Sequence, residues 1–412
     1  MLVSSEKLLA VVSWVGVICL CLTFNVTASA STETVLYTFT GTPDGSAPYS
    51  ALVKDTKGNF YGVTAAGGTN RQGTVYELSP TPTGGWIETV LHDFAANGTD
   101  GYSPGSGLTL DAAGNLYGTT IFGGTHVYGT VFELSPTKSG SWTETILYNF
   151  TGGNDGGLPQ YGSLVFDSKG DLYGTTQNAG TLGYGVAFEL SPSPNGGWTE
   201  TVLHDFAENA TDGGYPMAVV FDRNGNLYGT AAQGGSLGRG VIFELSPSAG
   251  GTWTETILHN FADNSTDGGI PMAGVVFHGT QLYGTTEHGG AYGWGTLYRL
   301  SNTKTGWKEK VLHSFATNGI DGFPPKGTVV FDKTGHIYGT TYGGGAKGSG
   351  TVFELTVSKG VWTETVLYSF TGQSDGGYPY FGLILNATTG NLYGATNGGG
   401  SGGNGVVFQL TP

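Results

Sequence analysis

The phrase Leu-Tyr-Gly-Thr-Thr, with small variations, begins at Phe60, Leu116, Leu172, Leu227, Leu282, Ile337 and Leu392, at intervals of 55 or 56 residues. A period of that size marks a chain of supersecondary units, none of which can bury its apolar face alone. Four short runs of strand character fill each period, bounded by Gly, Pro, Asp or Asn. In the second unit they are residues 107–111, 115–120, 129–136 and 143–150. The Ala-Ala-Gly link between the first two is a tight hairpin turn, and another short turn precedes Trp142, so one period builds a four-stranded meander.

Four strands per unit, repeated radially, specify an all-β fold: a seven-bladed β-propeller with four antiparallel strands per blade. The first and last strands of the repeat region say how it closes. A fourth-type strand, TETVLYTF at 32–39, stands ahead of the first complete unit, and a third-type strand, GVVFQLTP, occupies 405–412. Pairing residues 34–39 with 406–410 completes one blade from both ends. An open solenoid would instead need capping repeats. Composition agrees. With 412 residues the chain is too long for one compact core, and 75 Gly with 12% aromatics disfavour helix, while the lack of a three-residue Gly period excludes collagen.

Residues 1–30 read as an export signal: Lys7 in a short head, an apolar run from Leu8 to about Phe24, and Ala28-Ser29-Ala30 as a small-residue cleavage site. The expected mature chain is a single propeller domain, 31–412, secreted or in the cell envelope, monomeric and without a membrane span. Both cysteines, Cys19 and Cys21, fall in the signal, so no disulfide is expected. Glu6 and Lys7 cancel, and the mature chain keeps a formal charge of −15. That charge excludes nucleic acid and anionic membranes as partners and favours neutral ligands, cations or basic partners.

The motifs LYGTT, GTVFELSP and WTETVLHDF resemble those of GloVer, the Gloeobacter and Verrucomicrobia tandem-repeat family of secreted bacterial proteins, from Thr32 to Pro412. The resemblance implies a bacterial, exported repeat protein and no assigned activity. Members typically carry a sorting anchor. This chain departs from that pattern, ending on a strand at Pro412 with no apolar segment after it, so attachment by such an anchor is not expected.

Trp86, Trp142, Trp198, Trp253, Trp307 and Trp362 open the fourth strands, and their recurrence beside a turn suits a packing role, as it does for Tyr117 and Tyr228 of the LYGTT phrase. His92, His204, His259 and His313 alternate with Tyr37, Tyr148 and Tyr368 at one fourth-strand position. A phenol is a poor substitute for imidazole on zinc, so the interchange argues for hydrogen bonding rather than metal. Glu88, Glu144, Glu200, Glu255 and Glu364 are expected to make cross-strand polar contacts.

Asp44, Asp100, Asp155, Asp212, Asp267, Asp321 and Asp375 each open a D-G-x-x-P segment leading to the next axial strand, on the same face as the glycine-rich loops. Each Asp can close its own turn. As a ring beside Tyr49, Tyr102, Tyr215, Phe323 and Tyr378, they can also hold a ligand's hydroxyls or a hard cation. Calcium has little sequence support, since no D-x-D-x-D loop occurs, and no other cofactor is indicated. Glu287, His288, His126 and Trp294 are the unusual loop residues, and Glu287 with His288 would be the catalytic pair if the propeller were an enzyme. Sequons at Asn97, Asn149, Asn209, Asn264 and Asn386 read as accidents of repetition.

The leading expectation is a secreted, non-enzymatic protein that binds an extracellular carbohydrate or protein through the Asp and aromatic loop face. A polysaccharide-processing hydrolase or lyase and an envelope scaffold are the alternatives. Propellers host many chemistries, and the sialidase S-x-D-x-G-x-T-W box is missing.

Overall fold

The computed structural model describes residues 31–412, and the export signal expected at residues 1–30 lies outside the described residues. The described chain is all β: seven antiparallel four-stranded blades form a propeller. Blade two is representative. Its second, third and fourth strands are Leu116–Gly123, Thr130–Pro136 and Trp142–Asn149, each paired with the next.

The first strand is less regular than its sequence suggests. In blade two it is broken into Gly101–Pro104 and Thr109–Leu110, both of which pair with Leu116–Gly123. A proline kink lies at this point, and in blade four, where the strand Gly213–Phe221 stays continuous, it shifts the register between Pro216 and Val219. Ser103, directly before Pro104, takes a left-handed φ of 52°, and Ala47, Leu158, Tyr215, Ile270 and Tyr378 do the same before their own prolines. Left-handed backbone costs an L-residue roughly 1–2 kcal/mol, so the kink persists only because the neighbouring blade holds it.

Each letter of the repeated phrase has a task at the seam between blades. Leu116 is fully buried, and Tyr117 meets Phe166 of the next blade edge-on at 5.0 Å. Gly118 lies under the ring of Phe132. The first threonine donates its hydroxyl to a carbonyl on the next blade's axial segment, Thr119 to Pro159 at 3.1 Å and Thr230 to Ala273 at 2.8 Å. The second joins strands within its blade, Thr120 to Thr130 at 2.8 Å. Val63 and Ala395 replace the first threonine in blades one and seven, so the seams between blades one and two and between blades seven and one lack this bond, whereas Thr340 keeps it to Phe381 between blades six and seven.

The phenylalanine after each fourth strand is the largest wedge. Phe39, Phe94, Phe150, Phe206, Phe261, Phe315 and Phe370 are fully buried against the next blade, as in the Phe94–Phe132 pair at 5.3 Å. Burying such a side chain is worth about 1.5–3 kcal/mol, and the ring pair adds about 0.5–1.5. The seven core clusters accordingly each take residues from two adjacent blades. The tryptophans pack here too: Trp142 faces Tyr61, Trp253 faces Tyr173 and Trp307 faces Tyr228.

Closure occurs as the chain ends require. Thr32–Thr38 pairs antiparallel with Val406–Thr411, with Thr34 opposite Gln409 and Thr38 opposite Val406. Deleting residues 31–41 is therefore expected to lower the melting temperature and promote self-association through the bared strand, checked by calorimetry and light scattering. Gly118→Ala should cost about 1–3 kcal/mol in denaturant unfolding, because the added methyl would lie 2.6 Å from Phe132 Cζ.

Candidate functional site

The seven Asp side chains turn back into the seams. Asp44 accepts the Tyr37 hydroxyl at 2.7 Å and the Thr40 N–H at 2.9 Å, and Asp100 meets His92 Nε2 at 3.3 Å and accepts the Ala95 N–H at 2.8 Å. The same pattern joins Tyr148 to Asp155, His204 to Asp212, His259 to Asp267, His313 to Asp321 and Tyr368 to Asp375. Asp44, Asp100, Asp212, Asp321 and Asp375 are buried. Each closes its turn and fixes the Tyr or His ring of the preceding strand. The rings of Tyr102, Tyr215 and Tyr378 pair instead with Phe122, Tyr184 and Tyr342.

The interchange of His and Tyr follows turn length. With tyrosine, the carboxylate lies seven residues on and takes a threonine hydroxyl as well, from Thr40, Thr151 or Thr371. With histidine the separation is eight residues, and alanine stands in place of that threonine. The longer turn is capped by Asn97, Asn209, Asn264 or Asn318, so three of the sequon asparagines have a local turn role.

A glutamate from the next fourth strand completes every seam. Glu33, Glu88, Glu144, Glu200, Glu255, Glu309 and Glu364 each bury an Oε1 that has no hydrogen-bond partner. They reach across the seam instead of making the cross-strand contacts expected from sequence. Burial, followed by the Asp carboxylate across the seam, pushes Glu33, Glu88 and Glu200 up to about 7. Burial pulls on His92 in the opposite direction, yet the bond to Asp100 and the charge of Glu144 raise it overall.

Outside the seams, Phe122, Val127, Tyr128, Leu182, Leu237, Tyr292, Trp294, Ile320 and Tyr378 are exposed on the glycine-loop face. Aromatic pairs link its segments: Tyr102 stacks on Phe122 at 5.7 Å, Trp294 meets Phe323 at 4.9 Å and Tyr342 meets Tyr378 at 5.4 Å. The glycines themselves serve backbone packing. Gly129, at φ 96°, ends its loop where a Cβ would lie 2.3 Å from the Thr120 carbonyl and 2.7 Å from Pro159.

Near the axis, Tyr49, Tyr161 and Tyr380 from three blades come together, with Tyr49 and Tyr380 rings 5.0 Å apart. Burial holds the hydroxyls of Tyr49 and Tyr380 well above the ordinary phenol range. Lys326 Nζ lies over the Tyr342 and Tyr380 rings and 3.1 Å from Glu287 Oε1. His288 is half-exposed and faces Asp263 at 4.0 Å. The two candidate catalytic residues therefore have separate partners, Lys326 for Glu287 and Asp263 for His288.

Comparing the seven copies with one another exposes what motif reading misses. Seam positions barely vary, whereas one loop position carries Asn70, His126, Leu182, Leu237, Tyr292, Lys347 and Gly402 in turn. A second carries Gln72, Tyr128, Tyr184, Arg239, Trp294, Ser349 and Asn404. The axial position after the conserved turn proline carries Tyr49, Gly105, Gln160, Met217, Met272, Lys326 and Tyr380. All three sets lie on the glycine-loop side of the propeller or at its axis.

The family model described as the Gloeobacter/Verrucomicrobia repeat matches residues 4–235 and 215–412. No curated protein matches the chain. Among solved structures, the extracellular domain of a putative hybrid two-component system from B. thetaiotaomicron is similar at 13% identity and a TM-score of 0.55, covering 93% of this chain and 42% of that one. A putative 6-phosphogluconolactonase from Bacteroides uniformis is similar at 13% identity, 77% and 84% coverage and a TM-score of 0.48. A gluconolactonase from Xanthomonas campestris follows at 12% identity, 73% and 82% coverage and 0.40. At these identities the likeness is one of fold. No helix among the described residues is long and apolar enough to cross a membrane.

The seam glutamates give a pH dependence of defined sign. Their folded pKa, about 7 at Glu33, Glu88 and Glu200, lies above the unfolded value of 4.5. Their contribution is complete below the unfolded value and is lost as pH rises through the folded one. The melting temperature in chelator should therefore fall between about pH 5 and pH 8, and the triple variant Glu33→Gln, Glu88→Gln, Glu200→Gln should show a shallower fall.

Proposed function

The chain belongs to the Gloeobacter/Verrucomicrobia repeat family, and we propose that it is a non-catalytic extracellular binding protein that holds a neutral glycan on its glycine-loop face. The observation that carries this reading is the distribution of difference among the seven copies. Positions that hold blades together repeat, while positions that face outward on this side, or line the axis, diverge into Tyr, Trp, Asn, Gln and Arg. Identical packing with varied presentation is what a recognition surface requires of a repeat scaffold.

The chemistry of the face supports a sugar. Exposed rings at Tyr128, Tyr292, Trp294 and Tyr378 offer apolar platforms, and Asn70, Gln72 and Asn404 carry hydrogen-bonding groups at the two varied loop positions. The net charge of −15 favours a neutral ligand over a polyanion. The Asp ring contributes by fixing the turns beneath the face.

Binding of neutral polysaccharides by the purified protein, followed by affinity electrophoresis and calorimetry, checks the proposal. Tyr292→Ala with Trp294→Ala should weaken binding about tenfold or more, since stacking of this kind is worth about 1–3 kcal/mol in comparable base-stacking sites. Unchanged binding in that variant, or no glycan bound at all, would contradict the reading. Glycan cleavage that vanishes in Glu287→Ala, His288→Ala would favour the enzyme alternative instead.

A further inference from the structure

Four of the seven seams gather one imidazole nitrogen and two carboxylates within 4.8 Å of one another. We propose that His92–Asp100–Glu144, His204–Asp212–Glu255, His259–Asp267–Glu309 and His313–Asp321–Glu364 each bind one divalent cation of the zinc class. This inference is independent of the glycan reading, because it concerns the seams beneath that face.

Spacing is the first argument. His92 Nε2 lies 3.3 Å from Asp100 Oδ2 and 3.6 Å from Glu144 Oε1, and His204 Nε2 lies 3.1 Å from Asp212 Oδ1 and 3.9 Å from Glu255 Oε2. Tetrahedral zinc, with bonds of about 2.0–2.2 Å, separates its ligands by roughly 3.3–3.5 Å. Small side-chain shifts therefore bring all three donors onto one ion. The four histidine side chains are about a fifth exposed, which leaves water a way to a fourth position. One nitrogen with two carboxylates suits zinc better than calcium, which needs 6–8 oxygens.

Unpartnered oxygens are the second argument. In the tyrosine seams a threonine hydroxyl takes up Oδ1 of Asp44, Asp155 and Asp375. The histidine seams have alanine there, and Oδ1 of Asp100 and of Asp321 has no hydrogen-bond partner, on side chains only 9% and 6% exposed. Across the same seams Oε1 of Glu144 and Glu364 is buried and unpartnered. Two facing carboxylates with idle oxygens repel, and a cation between them removes the repulsion while imidazole supplies the third bond.

The tyrosine seams supply the control. Glu33, Glu88 and Glu200 have the same buried Oε1, but a phenol stands in place of the imidazole and a threonine hydroxyl takes Oδ1 of each Asp, so a shared proton suffices there. Interchange of His with Tyr argues against a metal in all seven seams. It does not argue against one in four, because the loss of the threonine hydroxyl accompanies the histidine every time. The metal takes a neutral imidazole, whose one proton then sits on Nδ1, and ionised carboxylates, so any imidazolium or carboxyl proton present is released to solvent and uptake strengthens as pH rises.

Calorimetric titration of the chelator-treated protein with zinc chloride at about pH 7.5 tests the proposal. The expected result is four saturable equivalents, one per cluster, and a higher melting temperature with zinc. Glu144→Gln, Glu255→Gln, Glu309→Gln, Glu364→Gln keeps side-chain shape and should lose binding, whereas Glu33→Gln, Glu88→Gln, Glu200→Gln should keep all four equivalents. His92→Gln, His204→Gln, His259→Gln, His313→Gln provides a second route to the same loss if the first variant does not fold. Failure of the parent to bind zinc saturably, or full stoichiometry in either folded quadruple variant, overturns the proposal.

Discussion

No blade of this protein has a core of its own, and that constraint organises everything else. A four-stranded meander can bury its side chains only against a neighbour, so the energetics reside in the seam: Phe94 under Phe132, Tyr61 against Trp142, Thr119 on the Pro159 carbonyl. The seam also carries a polar layer, in which a Tyr or His from one strand, an Asp from the following turn and a Glu from the next blade meet. Most of the repeated letters serve one of these two layers, and the others, such as Thr120 on Thr130 and Asp111 in its hairpin turn, order the blade itself.

From this follows why the copies are so alike. A change at Gly118 or Phe94 disturbs the packing of two blades at once, because each seam side is matched to its partner. At Tyr292 or Trp294, where side chains stand exposed, that demand is absent. Freedom to vary falls on exposed positions: the glycine-loop face, and also hairpin turns such as Ala112-Ala113, Ser168-Lys169 and Arg223-Asn224, with the axis varying too. Side chains can change there without disturbing the ring, which is closed by the pairing of Thr32–Thr38 with Val406–Thr411.

The architecture was legible because its signals are local. The turn glycines, the strand alternation and the two half-blades at the chain ends each announce themselves within a few residues. The site was less legible, since its partners are distant in sequence. Asp100 could be seen to close a turn, but not to meet Glu144 of the next blade. Glu309, a member of the same sevenfold set, is masked by Lys308 and Lys310 in place of the flanking threonines, while Glu33 keeps the Thr-Glu-Thr setting and lacks only the tryptophan two residues ahead, where Ser31 stands. Glu287 and His288 stood side by side in the sequence, yet Lys326 holds one and Asp263 faces the other. Likewise the kink in the first strand reflects a left-handed residue before proline, a conformation that strand propensity gives no hint of.

The central claim is that seams hold the fold while the varied face recognises the ligand. It is tested most directly by making the face uniform. His126, Leu182, Leu237 and Tyr292 would be replaced by Asn, as found at Asn70, and Tyr128, Tyr184, Arg239 and Trp294 by Asn, as found at Asn404. Calorimetric unfolding measured with and without a bound polysaccharide gives both readouts in one experiment. The account predicts a single cooperative transition within a few degrees of the parent and no upward shift with ligand. Loss of cooperative unfolding, or a ligand-induced shift equal to the parent's, would contradict it.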